Sequence, residues 1–281
     1  SYPASAVSLR AIADGNFVVV DTTGGRQDVI AEVDYSSAAL TLYEGAIYLV
    51  QASPWQVERL DWKGRKAFVT KTTADYYTDA IDYTKLKILD CFEDAAVPTA
   101  VCKRGEVHVV RRVSGYKKIR YYTHENVGYG PVNLPDHEMH TTAVWWQVDP
   151  RALENAFPNR WQALDGFLGA AYAIHSIAVL LTMSDRHDLG RAIGDGEGEW
   201  FATTDSKGRG KLQTLSAEGE PIELDAAKEF IPTLFLYDNY PGGIGLSVPL
   251  YDLRDRVIAG ARSLIEHCGC KFGCPACVGP I

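Results

Sequence analysis

Apolar and polar positions alternate with a period of two along much of the first half of the chain, and this predicts strands. Residues 55–62 follow the pattern of a half-buried strand. Lys63-Gly64 then signals a turn, and residues 65–72 return as the partner strand. Short apolar runs at 17–21, ended by Thr22-Thr23-Gly24-Gly25, and at 46–52 add two more strands, and residues 83–89 alternate again. Strands of this length at regular spacing predict a small barrel or rolled sheet. Beyond Pro98, residues 106–113 and 116–123 read as two strands joined by a hairpin turn at Ser114-Gly115. Residues 141–148 read as a further strand.

The period changes at Trp161. Leu164, Phe167, Leu168, Ala171, Ile174, His175, Ala178 and Leu181 recur at three- and four-residue steps, which predicts a helix over 161–183. Residues 184–221 are rich in glycine and charge and read as a loop or excursion around a short strand at Trp200-Phe201. A buried strand is predicted at 232–237, followed by a glycine-rich turn and a final helix over 250–266. The expected fold class is α+β. A β-rich subdomain, residues 1–92, is followed by a mixed α+β domain, residues 93–281, that ends in a helix and four cysteines.

Composition changes this picture little. The chain has 281 residues, 46% of them hydrophobic, enough for one large domain or two moderate ones with a sizeable core. No apolar run approaches the eighteen residues of a membrane span and no leader opens the chain, so no membrane partner is expected. Unpaired thiols point to a reducing, cytoplasmic compartment. The start at Ser1-Tyr2-Pro3, without methionine, suggests a segment of something longer. Net charge is −8, so a nucleic-acid partner would have to be met by a local patch.

The strongest chemical signal is Cys268-Gly-Cys270-Lys-Phe-Gly-Cys274-Pro-Ala-Cys277. The C-x-C-x3-C-x2-C spacing can place four thiolates around one tetrahedral zinc ion, with Gly269, Gly273 and Pro275 turning the backbone. Sequence alone does not separate zinc from an iron–sulfur cluster. A redox pair, Cys274 and Cys277, would instead make the chain a thiol-disulfide oxidoreductase. A second signal lies at 103–122. Lys103, Arg104, Arg111, Arg112, Lys117, Lys118 and Arg120 accompany one acidic residue, Glu106, with Tyr116, Tyr121 and Tyr122 interleaved. Cations for phosphates and aromatic faces for bases suit single-strand binding, and the same residues also suit a solvated edge. The DNA contacts expected are Arg111, Arg112, Tyr116, Lys117, Lys118 and Arg120. Gly242-Gly243-Ile244-Gly245 could offer backbone amides to an anion or simply form a tight turn. No Walker A sequence is present, so this segment alone is expected to be non-catalytic. His137 and His140 leave a metallohydrolase open, although their spacing is not that of a zincin.

The segment Tyr237-Asp-Asn-Tyr-Pro-Gly-Gly-Ile-Gly245, a helix and the C-x-C-x3-C-P-x-C tail together resemble the zinc-binding C-terminal domain of the MrfA-type DNA helicases. These are superfamily 2 DNA repair helicases related to the fungal Hrq type and mycobacterial SftH. Glu44-Gly-Ala-Ile-Tyr-Leu49, Asp75-Tyr-Tyr-Thr78, His140-Thr-Thr-Ala143 and Met183 with Asp188-Leu-Gly190 extend the resemblance over nearly the whole chain, with residues 184–221 the least similar. The resemblance implies structural Zn2+ on Cys268, Cys270, Cys274 and Cys277. It also implies a 3′-to-5′ ATP-dependent translocase whose two RecA-like motor lobes, with their ATP and Mg2+, precede this segment. The partners implied are those lobes and DNA, as a single strand or a 3′-tailed duplex, in a cytoplasmic, nucleoid-associated setting.

Overall fold

The structure is a computed structural model, and it describes residues 15–157, 160–195, 201–204, 210–215, 221–223 and 231–279. In chain order its elements are β1 (Asn16–Asp21), β2 (Asp28–Asp34), α1 (Tyr35–Thr41), β3 (Ile47–Val50), β4 (Ser53–Asp61) and β5 (Lys66–Lys71). There follow β6 (Tyr76–Val97), β7 (Ala100–Arg120), β8 (Asn126–Pro131), β9 (His137–Val148), α2 (Pro150–Ala156) and α3 (Arg160–Thr182). The remainder is β10 (Leu189–Asp195), β11 (Phe201–Thr204), β12 (Gly210–Leu215), β13 (Pro221–Glu223), β14 (Pro232–Asp238), α4 (Ser247–Asp252) and α5 (Arg254–Glu266). The fold is α+β, strand-rich, with its longer helices toward the C-terminus.

Packing groups the chain into two units. One holds the described residues up to Tyr83 together with Arg111–His137, and the other holds Thr84–Val110 with everything from Glu138 onward. The expected cut between 92 and 93 therefore falls inside β6, and the chain returns to the first unit after crossing into the second.

The first unit is built on a five-stranded sheet of order β2-β1-β5-β4-β3, the form taken by the predicted barrel or rolled sheet. β1 and β5 run parallel, while β4 pairs antiparallel with both β5 and β3. Inward positions of three strands, Phe17 and Val19, Val57, and Ala67 and Val69, meet Ala38 of α1 and Leu42 just past its end in one core. The Phe17 ring sits 4.9 Å from that of Trp62, so the β4–β5 turn is packed as well as hydrogen-bonded. Tyr116, Val132 and Leu134 return to complete this core.

In the second unit β14 is an inner strand. It pairs antiparallel with β10 on one side and β9 on the other, and all seven of its residues are buried. Period-two geometry sends its side chains to two cores. Leu234 and Leu236 join Val144, Trp146, Ala171, Ile174, Ala178, Val257 and Ala261 on the helical face. Phe235 and Tyr237 join Trp145, Met139, Val107 and Val109 on the other. The helices α3 and α5 approach closely because residue 260 is glycine: a Cβ there would lie 2.8 Å from Ile177 Cγ2. Contrary to the sequence expectation, the window Asp165–Thr182 of α3 is long and apolar enough to cross a membrane by length and composition. Its Ala171, Ile174 and Ala178 are packed into the helical core.

Several expectations need correction. Residues 106–123 are not a hairpin at Ser114-Gly115, since β7 runs unbroken through both. Gly115 is buried where β7 meets β8, and a Cβ on it would lie 2.9 Å from the Gly130 carbonyl oxygen. Here glycine answers close backbone approach, not a turn. The turns lie at Pro98-Thr99, where Thr99 has φ 62°, and at 121–125. Part of the predicted excursion at 184–221 is a core strand, because β10 buries Leu189 and Ile193. Its Trp200 lies outside the described residues. The final helix is two, α4 and α5, meeting at Leu253, and it starts before Pro249, which a first turn tolerates.

Candidate metal centre

Helix α5 closes at His267, whose amide donates to the Ser263 carbonyl. The His267 Nδ1 also turns back to that carbonyl at 2.9 Å, which aims its ring along its own helix. Beyond it the chain folds on itself. Gly273 has φ 91°, and the amides of Cys277 and Val278 both donate to the Cys274 carbonyl in a tight turn. The four sulfurs converge as a result. Cys268 to Cys274 and Cys270 to Cys277 are 3.6 Å, Cys274 to Cys277 is 3.7 Å, and all four lie within 4.8 Å of one another. Sulfurs held about 2.3 Å from a central zinc would stand about 3.8 Å apart, so the cluster has the size of a tetrahedral thiolate shell. A disulfide needs about 2.05 Å, and all six cysteines are free.

Electrostatics within the cluster are uneven. The Cys270 thiol is pushed up to about 12 by the thiols of Cys268 and Cys277. Cys274 is drawn down to about 7 by the backbone amides of Cys277 and Ala276. Metal-free, the cluster thus shares its protons rather than holding four like charges, whereas a divalent cation favours thiolate at every position. The turn is also docked. Val278 lies against Gly169 of α3, where a Cβ would come within 3.1 Å of it, and Gly279 fits against the Tyr172 ring. The cysteines therefore tie the end of α5 to the first half of α3.

The glycine loop before α4 is already filled by a carboxyl group of the chain itself. Asp238, 1% exposed at the end of β14, accepts at Oδ2 from the amides of Ile244 (2.9 Å), Gly245 (3.0 Å) and Leu246 (3.2 Å) and from the Thr142 hydroxyl. Burial raises its pKa, and those donors oppose the rise. Tyr240 extends the network by donating to Asp188 at 2.8 Å. The Asp in Tyr237-Asp-Asn was the available signal for this internal plug.

The basic residues on β7 are largely matched by acids from neighbouring segments. Arg112 bonds Asp136 through two nitrogens, each at 2.7 Å. Arg111 lies 3.7 Å from Asp82, Arg104 2.6 Å from Glu93, and Arg120 3.4 Å from Asp75 and 3.7 Å from Glu125. The Lys118 ammonium lies 5.3 Å from the Tyr76 ring centre. Asp79 has its pKa raised by burial and lowered by Lys117. Tyr116 is a core residue, 8% exposed and stacked on Tyr43, so its ring is not offered to a base as the sequence suggested. Among the described residues, no other group of three or more His, Cys, Asp or Glu converges as the cysteines do. His137 faces the Tyr35 ring and His140 the edge of His108.

Residues 170–278 match the family model of the MrfA Zn-binding domain. The chain is 34% identical over 280 residues to the ATP-dependent helicase YprA of Bacillus subtilis, covering 99% of this chain and 33% of that protein. It is 27% identical over 284 residues to the ATP-dependent helicase HRQ1 of Saccharomyces cerevisiae, covering 99% of this chain and 24% of that protein. Among solved structures, the DUF1998 helicase MrfA bound to DNA aligns over 100% of this chain and 33% of its own, at 32% identity and TM-score 0.58. A second crystal structure of the DUF1998 helicase MrfA aligns over 99% of this chain and 35% of its own, at 30% identity and TM-score 0.61. The chain thus spans about a third of the length of YprA and MrfA. Residues 170–278, which include the four cysteines, thus match the MrfA Zn-binding domain, and the chain is similar along its length to part of the MrfA- and Hrq1-type ATP-dependent helicases.

Proposed function

We propose that this chain is the zinc-clasped accessory module of an ATP-dependent DNA helicase or translocase that acts in DNA repair. The observation that carries this is the convergence of four sulfurs at the end of α5, with Val278 seated on α3. Cys268, Cys270, Cys274 and Cys277 would hold zinc in a closed four-thiolate shell, which stabilises the fold and leaves no coordination position for substrate. Such sites contribute roughly 10–16 kcal/mol in zinc-finger peptides near neutral pH. The thiol oxidoreductase reading is not favoured, because Cys268 and Cys270 crowd both sulfurs of the Cys274–Cys277 pair.

On this reading ATP, Mg2+ and 3′-to-5′ movement belong to RecA-like motor lobes of the same polypeptide, in a cytoplasmic, nucleoid-associated protein. DNA, as a single strand or a 3′-tailed duplex, is the partner, and the DNA-bound state of the similar helicase supports this. Of the β7 cations, Lys117 and Lys118 are the best placed to meet phosphates, since the arginines are engaged with carboxylates. In the full-length protein we expect about one zinc per module and a lowered Tm after chelation. An unchanged Tm in the stripped protein would reject the clasp. Neutralising Lys117 and Lys118 to Gln should weaken single-strand binding and reduce its salt slope by about 1.4. An unaltered slope would make this strand a solvated edge.

A further inference from the structure

The β7–β8 turn carries an aromatic side chain that the fold does not use. Tyr122 is 98% exposed and has φ 66°, a left-handed conformation that is a genuine outlier for a bulky residue. His124, two residues on, is also left-handed at φ 55°. The turn is nonetheless pinned. Thr123 N–H donates to the Tyr121 carbonyl (2.8 Å), His124 N–H to Arg120 (3.1 Å), and Arg120 N–H to Glu125 (2.9 Å). Tyr121 N–H reaches the Asp75 carbonyl at 3.0 Å, and its ring lies 5.7 Å from Tyr77, so the base of the turn is braced against the start of β6. A strained backbone held rigid to present a ring to solvent is the kind of outlier that marks a functional position. Lys118 lies on the same hairpin with its ammonium over Tyr76, while Asp75 and Glu125 are engaged by Arg120.

We propose that Tyr122 is a stacking platform for an unpaired nucleobase, with Lys118 meeting the adjoining phosphate. A π face is sequence-tolerant and selects single strands, in which bases are free to unstack. The proposal rests on the DNA-binding reading above and adds to it the contact and the strand form.

The test is fluorescence anisotropy with oligo-dT and with blunt duplex, on the zinc-loaded full-length protein. Tyr122→Ala should lower oligo-dT affinity about 5- to 100-fold and leave its salt slope and duplex binding unchanged, since the ring carries no charge. Tyr122→Trp should keep affinity. Tyr122→Gly should lose it with no fall in Tm, because glycine relieves the left-handed strain. Lys118→Gln should lower the oligo-dT salt slope by about 0.7. Wild-type affinity for oligo-dT in a folded Tyr122→Ala protein would overturn the platform and leave the DNA-binding reading standing. No oligo-dT or duplex binding by the wild type would instead overturn that reading.

Discussion

His175 and Asp238 show how single buried polar groups set the chemistry of the second unit. His175 lies on the buried face of α3 with Nε2 2.8 Å from the Leu189 carbonyl, so that nitrogen carries a proton and donates it to the carbonyl oxygen. Burial, chiefly, lowers its pKa. Between the lowered folded value and the ordinary 6.5 the unfolded chain binds the extra proton, so this contribution to stability is full above about 6.5 and is lost as pH falls. Thermal melts at pH 7.5 and 5.5 should show that loss in the wild type, and His175→Gln should flatten part of the slope. Asp238→Ala would leave three loop amides without their acceptor. We expect a loss of about 2–4 kcal/mol in a denaturant titration, with the 239–246 loop losing order. The cysteines and the glycine loop were both legible in the sequence. The occupant of the loop was legible only as an Asp at its border, because burial decides whether that carboxylate turns inward.

The strands of the first unit were legible because one face of each packs and the other is wetted, which writes period two into the sequence. The long strand β7 was misread for a physical reason. Ser114-Gly115 is a turn dipeptide locally, yet here glycine permits the Gly130 carbonyl to approach. Gly115→Ala should therefore cost about 1–3 kcal/mol of stability and loosen β8, which amide exchange of residues 126–131 would report. The acids that engage the β7 arginines were hidden as well. Asp82 and Asp136 stand 24 or more residues away along the chain and become neighbours only once the sheet forms. In the second unit, Gly273 is held at φ 91°, so Gly273→Ala should weaken zinc retention in a chelator competition without disturbing the first unit.

At the scale of the whole molecule, the two units have separate cores, and the cysteine cluster lies in the second. Removing zinc should increase hydrogen exchange in α5 and across 267–279, while amides of the five-stranded sheet keep their protection. Equal deprotection of both would mean that the cysteines support more than their own unit. The path of the chain between the units also bears on biosynthesis. Tyr116, Val132 and Leu134 belong to the core of residues 17–69, so a polypeptide halted at residue 92 lacks part of its own interior. On the ribosome the first unit must wait for residue 137, about fifty residues after its first segment ends at Tyr83, or roughly 3–10 s at ~5–20 residues per second. During that interval the nascent sheet stands with an open hydrophobic seam, and this is when a chaperone would have something to hold.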